Sequence, residues 1–147
     1  MAGGFVPPRT PETEEFWNGT QRGELRIQRC DDCARHYFFP RPFCPRCGST
    51  SVEWTTVSGR GRLLSYVINE RPVPPADADP QVVALVELAE GPRMMTNIVG
   101  VPPDPAHLPL DAPVHVDFEV RGPEMLPVFR LGAQGESARS EAAEAGR

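Results

Sequence analysis

The residues in this chain with the clearest chemical potential are its four cysteines. Cys30 and Cys33 flank Asp31-Asp32, Cys44 and Cys47 flank Pro45-Arg46, and ten residues separate the two pairs. A turn through two residues lets neighbouring thiolates converge on one ion, and two such turns supply a tetrahedral all-sulfur set. Cys30, Cys33, Cys44 and Cys47 are therefore expected to hold one structural zinc per chain. Gly48 follows the second pair, where a knuckle turn asks for left-handed backbone. Two disulfides are the alternative. Paired C-x-x-C turns speak for metal instead, and the N-terminus lacks the charged start and apolar run of a secretory leader. Four thiolates close the coordination shell and leave no position for water or substrate, so the metal is expected to build structure and do no chemistry.

Other catalytic groups are scarce. The sequence contains no lysine, so all 15 basic residues are arginine, which excludes Schiff-base chemistry and a Walker-type phosphate loop. No cysteine is left over as a nucleophile. His36, His107 and His115 are scattered, and none has an evident nucleophile beside it. No catalytic residue is expected in this chain. The net charge of -5 and pI near 5.2 argue against broad nucleic-acid binding, which depends on neutralising phosphates. The charge is uneven, however: between Arg22 and Arg62 there are eight arginines against Glu24, Asp31, Asp32 and Glu53. This segment is either an ordinary solvated surface or a site for an anionic ligand or acidic partner.

The elements that must position these groups are mainly β. After a loose arm over Met1–Arg9, Thr10-Pro11-Glu12 reads as a helix start, with Thr10 as cap and Pro11 at the first helical position. The helix is expected to run to Asn18-Gly19, with an extra turn to Gly23, anchored by Phe16 and Trp17. Glu24–Arg29 alternates and leads as a strand into the first cysteine pair, and His36–Phe39 is a short return strand. A zinc ribbon has almost no interior, so the rings of Tyr37, Phe38 and Phe39 must cover something else. Strands follow at Val52–Ser58, Arg62–Arg71, Gln81–Ala89, Arg93–Val101, Val114–Arg121 and Pro127–Leu131. Gly59 and Gly61 suggest a bulge or tight bend. Proline-rich connections fall at Pro72–Pro80 and Pro102–Pro113, with short turns at Glu90-Gly91-Pro92 and Gly122-Pro123-Glu124. Five strands at this spacing fit a small closed barrel of OB type, with a plain sandwich as the alternative. The expected division is arm and helix over 1–23, zinc ribbon over 24–51, OB-fold over 52–131 and a disordered tail over 132–147.

Phe16-Trp17, Gln28-Arg29-Cys30, Pro40-Arg41-Pro42 and Cys44-Pro45-Arg46-Cys47-Gly48-Ser49 follow in an order that is itself informative. Trp54, Ser58-Gly59-Arg60-Gly61, Ser65-Tyr66, Val83–Leu88, Gly91-Pro92, Thr96–Gly100 and Pro127-Val128-Phe129-Arg130 continue it. Over about Glu14 to Leu131 the chain resembles the domain of unknown function 35 family, acyl-CoA-associated proteins with a rubredoxin-like zinc ribbon and an OB-fold. It departs from that pattern at Phe39, where relatives often carry a proline. The resemblance implies a small accessory subunit in a hetero-oligomer with a thiolase-like or lipid-transfer-type protein. It further implies an aldolase complex cleaving a bulky β-hydroxyacyl-CoA, as in steroid side-chain degradation, or else a thiolase or acyltransferase complex.

Acyl-CoA would then be a ligand of the complex. Arg41, Arg46, Arg60 and Arg62 are candidates for its phosphates, which guanidinium groups grip bidentately, and Tyr37, Phe38 and Phe39 for its adenine or pantetheine arm or for the partner. A single-stranded nucleic-acid-binding OB-fold is the competing reading, but Tyr66, Phe118 and Phe129 are few for base stacking. No run is long enough to span a membrane, and reduced cysteines point to the cytoplasm.

Overall fold

The structure, a computed structural model, describes residues 6–70 and 80–132. Most of the Pro72–Pro80 connection, Arg71 and the tail beyond Gly132 lie outside the described residues. The chain enters through helix α1 (Glu14–Gln21), whose start is a correction to the sequence reading. Thr10 to Thr13 forms a turn of its own: the Thr13 N–H donates to the Thr10 carbonyl at 3.0 Å, and the Thr10 N–H to Thr13 Oγ1 at 3.0 Å. Proline suits the second position of a tight turn as well as a first helical turn. Thr13 Oγ1 favours the tight turn, and Thr13 instead of Thr10 becomes the residue before the helix. The helix ends where Gly23 takes a left-handed φ of 73°, with the Gly23 N–H on Thr20 O and the Glu24 N–H on Gly19 O. Its buried face is Phe16, Trp17 and Thr20.

Strands β1 (Arg26–Cys30), β2 (His36–Tyr37) and β3 (Val52–Thr56) make one antiparallel sheet in the order β2-β1-β3. The sequence division assigned Val52–Thr56 to the barrel, whereas its hydrogen bonds place it in the ribbon. Register pairs run from Arg26↔Thr56 to Cys30↔Val52. The chain leaves the second knuckle antiparallel to β1, so its next extended segment pairs with the edge of β1 that would otherwise be bare. The return strand is also shorter than expected: Phe38 and Phe39 leave the sheet, and the Phe38 ring packs 5.6 Å from that of Phe16.

Strands β4 (Arg60–Asn69), β5 (Gln81–Leu88), β6 (Arg93–Ile98), β7 (Pro113–Arg121) and β8 (Glu124–Leu131) close a barrel in the order β4-β5-β6-β8-β7. This is the expected OB arrangement, with the β6–β8 pair parallel at Ile98↔Phe129 and closure at Arg60↔His115 through Arg62↔Pro113. Alternation on β5 sends Val82, Ala84, Val86 and Leu88 inside, against Leu63, Met94, Val114 and Phe129. The register shift falls between Leu63 and Ser65, and not at Gly59 or Gly61. Gly61 is required for another reason: a Cβ there would collide with the carbonyl of Glu87 on β5.

One buried carboxylate ties the N-terminal arm to the barrel. Glu124, only 6% exposed, accepts from Arg9 Nε at 2.6 Å and Arg9 Nη2 at 3.1 Å, and from Gln21 Nε2 at 3.1 Å. The hydrogen bond from Arg9 holds its pKa below the usual glutamate range against the opposing effect of burial. A depressed folded-state value means that the contribution is complete above the unfolded pKa, near 4.5, and drains away as pH falls through the folded value. Glu124→Gln should therefore lower stability at neutral pH by about 1 kcal/mol, the low end for a hydrogen-bonded charge because Arg9 is partly exposed and screened. Thermal melts of both proteins between pH 3 and 7 should show that gap narrowing below about pH 4.5. A gap independent of pH would contradict the assignment.

Candidate functional site

The cysteine pairs are brought together by two similar turns at one end of the ribbon. In the first, the Cys30 N–H bonds Arg35 O at 2.9 Å; in the second, the Cys44 N–H bonds Ser49 O at 2.8 Å and the Gly48 N–H bonds Cys44 O at 2.9 Å. Gly48 is left-handed (φ 76°), as its position predicts, and Ala34 occupies the matching position of the first turn with φ 59°. An alanine there carries strain that the contacts around the turn must offset. Ser49 Oγ donates to Asp32, linking the two turns.

All four sulfurs lie within 4.8 Å of one another. Cys30 and Cys47 Sγ are 3.6 Å apart, and Cys33 and Cys44 Sγ 3.7 Å. Disulfide sulfurs sit at about 2.0 Å, whereas tetrahedral thiolates at about 2.3 Å from zinc stand roughly 3.8 Å from each other. The spacing fits the metal. N–H donors from Cys47 and Arg46 hold the Cys44 thiol down to about 6 despite burial, while burial and the bond with Cys30 push the Cys33 thiol up. Four thiolates this close repel one another unless a dication sits among them. The donor set is complete with four sulfurs, which fits a structural site.

The second feature is a groove of about 620 Å³ on the outer face of β5 and β6, where helix and ribbon lean against the barrel. One wall is Phe16, Trp17, Phe38 and Phe39; the other is Val83, Leu85, Met95 and Asn97, with Leu126 and Pro127 beside them. The second and third strands of an OB barrel form its customary ligand face. Here that face is apolar. Its arginine, Arg93, is paired with Glu87 at 3.4 Å. A nucleic-acid track needs a run of free cations alternating with stacking rings, and the lining does not supply one.

The residues expected to hold an acyl-CoA are not gathered into one site. Phe38 and Phe39 line the groove. Tyr37 is buried, and its hydroxyl donates to Arg41 O at 2.9 Å; burial and the adjacent Cys44 and Cys30 thiolates push it up to about 12, so it keeps its proton. Arg41 lines a separate cavity with Gln28, Pro42 and Trp54. Arg62 is committed to Glu87 at 3.0 Å and Asp111 at 2.7 Å. The side chains of Arg46 and Arg60 are exposed and have no hydrogen bond or ion pair among the described residues. His115 is occupied structurally, with Nδ1 2.9 Å from Gly132 O. Sequence reasoning missed Val83, Leu85 and Met95, although Gln81–Leu88 is apolar on both its faces, which a strand with one face in water has no cause to be. Among the described residues no helix is long and apolar enough to cross a membrane.

Comparison with known proteins agrees with this geometry. Residues 17–53 match the family described as "ChsH2, rubredoxin-like zinc ribbon domain", and residues 54–119 match "ChsH2, C-terminal OB-fold domain". A "Probable enoyl-CoA hydratase alpha subunit" of Thermomonospora curvata is 39% identical over 91% of this chain and 47% of its own length. The "3-oxo-4,17-pregnadiene-20-carboxyl-CoA hydratase alpha subunit" of Mycobacterium tuberculosis is 38% identical over 76% of this chain and 36% of its own. The chain thus spans less than half the length of these curated relatives. A solved structure titled "Ltp2-ChsH2(DUF35) aldolase" superposes with a TM-score of 0.77 and 36% identity, over 87% of this chain and 100% of the matched one.

Proposed function

This chain belongs to the ChsH2-type, DUF35 family of zinc-ribbon and OB-fold proteins, and from that premise we propose that it is the non-catalytic, zinc-binding subunit of an acyl-CoA-processing complex. The observation that carries the proposal is the sulfur cage. Four thiolates complete a tetrahedral set, so the bound metal keeps no open position for a reactant. When bound, zinc would contribute folding energy, holding the two turns and, through β1, the Phe38-Phe39 wall of the groove. His115 is bonded to Gly132, and the sequence has no lysine and no fifth cysteine. We assign the reacting groups to a partner, of the thiolase-like or lipid-transfer type that the family resemblance implies.

An aldolase complex acting on a bulky, steroid-type β-hydroxyacyl-CoA is the favoured reaction. What supports this reading is the likeness to the solved structure titled "Ltp2-ChsH2(DUF35) aldolase", at a TM-score of 0.77 and 36% identity. Of the candidate arginines, Arg41, Arg46 and Arg60 have no side-chain ion pair among the described residues and are left for the CoA phosphates; Arg62 would have to break two ion pairs to join them.

Co-expression with a thiolase-like candidate partner tests the proposal. The two chains should co-elute on size exclusion, and together release aldehyde or ketone from a β-hydroxyacyl-CoA. A partner that is equally soluble and active without this chain would overturn the accessory role.

A further inference from the structure

We propose that the groove between Trp17, Phe38 and Phe39 on one side and Val83, Leu85 and Met95 on the other seats the apolar acyl moiety of the thioester. This rests on the acyl-CoA reading above and assigns a part of the ligand to a place on this chain. Three observations carry it.

The first is shape and position. The groove, about 620 Å³, lies within the roughly 300–1,000 Å³ typical of small-ligand sites and on the ligand face of the barrel. The second is chemistry. Its lining is mostly apolar, and among its polar groups Thr96 Oγ1 donates to Pro127 O at 3.2 Å, Asn97 Nδ2 to Val82 O at 3.1 Å, and Arg93 meets Glu87 at 3.4 Å. A lining of this kind suits a hydrocarbon skeleton better than a charged group. The third is cost. Met95 is 71% exposed and Phe39 58% exposed, and both line the groove.

The test is calorimetric titration of the purified, zinc-loaded chain with a steroid carboxylic acid, 3-oxo-4-pregnene-20-carboxylate, as the probe. Saturable binding of one probe per chain is expected. Met95→Arg places an unpaired cation in the groove from a position exposed enough for the fold to tolerate it, and Phe39→Ala removes the opposite wall. Each should weaken binding at least tenfold with zinc content and far-ultraviolet circular dichroism unchanged. No saturable binding, or variants that bind like wild type, would overturn the proposal.

Partner co-elution is the second readout. If Met95→Arg abolishes co-elution while the wild-type chain ignores the probe, the groove is a protein contact; the acyl assignment falls and the accessory role stands. If the probe binds and the variants lose it but no partner is retained, the groove assignment stands and the accessory role falls. Self-association through the groove, seen as a wild-type dimer that Met95→Arg dissociates, would also overturn it.

Discussion

Replacing Cys44 by serine is expected to remove about one zinc per chain and to unfold the ribbon. Cys44 is 2% exposed, its Sγ lies 3.7 Å from that of Cys33, and its thiolate accepts N–H donors from the second turn. Serine in its place leaves three sulfurs and an alcohol that does not ionise at neutral pH. Structural zinc binding is worth on the order of 10 kcal/mol in small zinc modules, as much as the whole stability of an ordinary domain. The ribbon has little else to stand on. Its sheet has a two-residue strand on one side, and its turns include Ala34 in left-handed backbone. Metal analysis should fall by about one equivalent, and amide exchange at Cys30 and Cys44 should become fast while β5 and β6 stay protected. Unchanged metal content would refute the assignment of the cage.

The barrel should respond to a different change and leave the zinc alone. Phe129 is 0% exposed and sits where three strands meet: its carbonyl accepts the Val99 N–H at 2.9 Å, and it pairs in register with Ile98 of β6 and Val116 of β7. Phe129→Ala empties the centre of a small core whose neighbours are fixed by closed hydrogen-bond ladders and have little room to collapse. Such truncations cost about 3–5 kcal/mol, out of a total of roughly 5–15 kcal/mol. Urea denaturation should show that loss with zinc still bound. A loss below about 1 kcal/mol would mean that the barrel centre lies elsewhere.

The contrast between these two variants mirrors what was legible beforehand. The cage could be read in full because the spacing of Cys30, Cys33, Cys44 and Cys47 is a local property, and two-residue turns leave thiolates few other arrangements. The five barrel strands were legible for the same reason: alternation along Gln81–Leu88 needs no knowledge of a partner. Pairing is not local. Val52–Thr56 alternates equally well whether it joins the ribbon or the barrel, and only the chain's direction out of the second knuckle decides for β1. Nor could the sequence reveal that Arg62 meets Asp111 across 49 positions, removing it from the set of free cations. Thr10 and Thr13 each suit a helix start, and a side-chain hydrogen bond chose between them. The groove was half visible. Tyr37, Phe38 and Phe39 stood out as rings that must cover something, and Phe16 and Trp17 as anchors of the helix, but the matching wall of Val83, Leu85 and Met95 was hidden in two strands judged by their inward faces.

On the proposed reading, the ribbon and barrel seat part of the ligand and a partner transforms it. The most direct measurement is single-turnover hydrolysis or carbon–carbon cleavage of a β-hydroxyacyl-CoA by the purified, zinc-loaded chain on its own and with a co-purified partner. The account predicts background rates for the chain alone and turnover only when the partner is present. Turnover by the isolated chain at a rate comparable to the complex would contradict it.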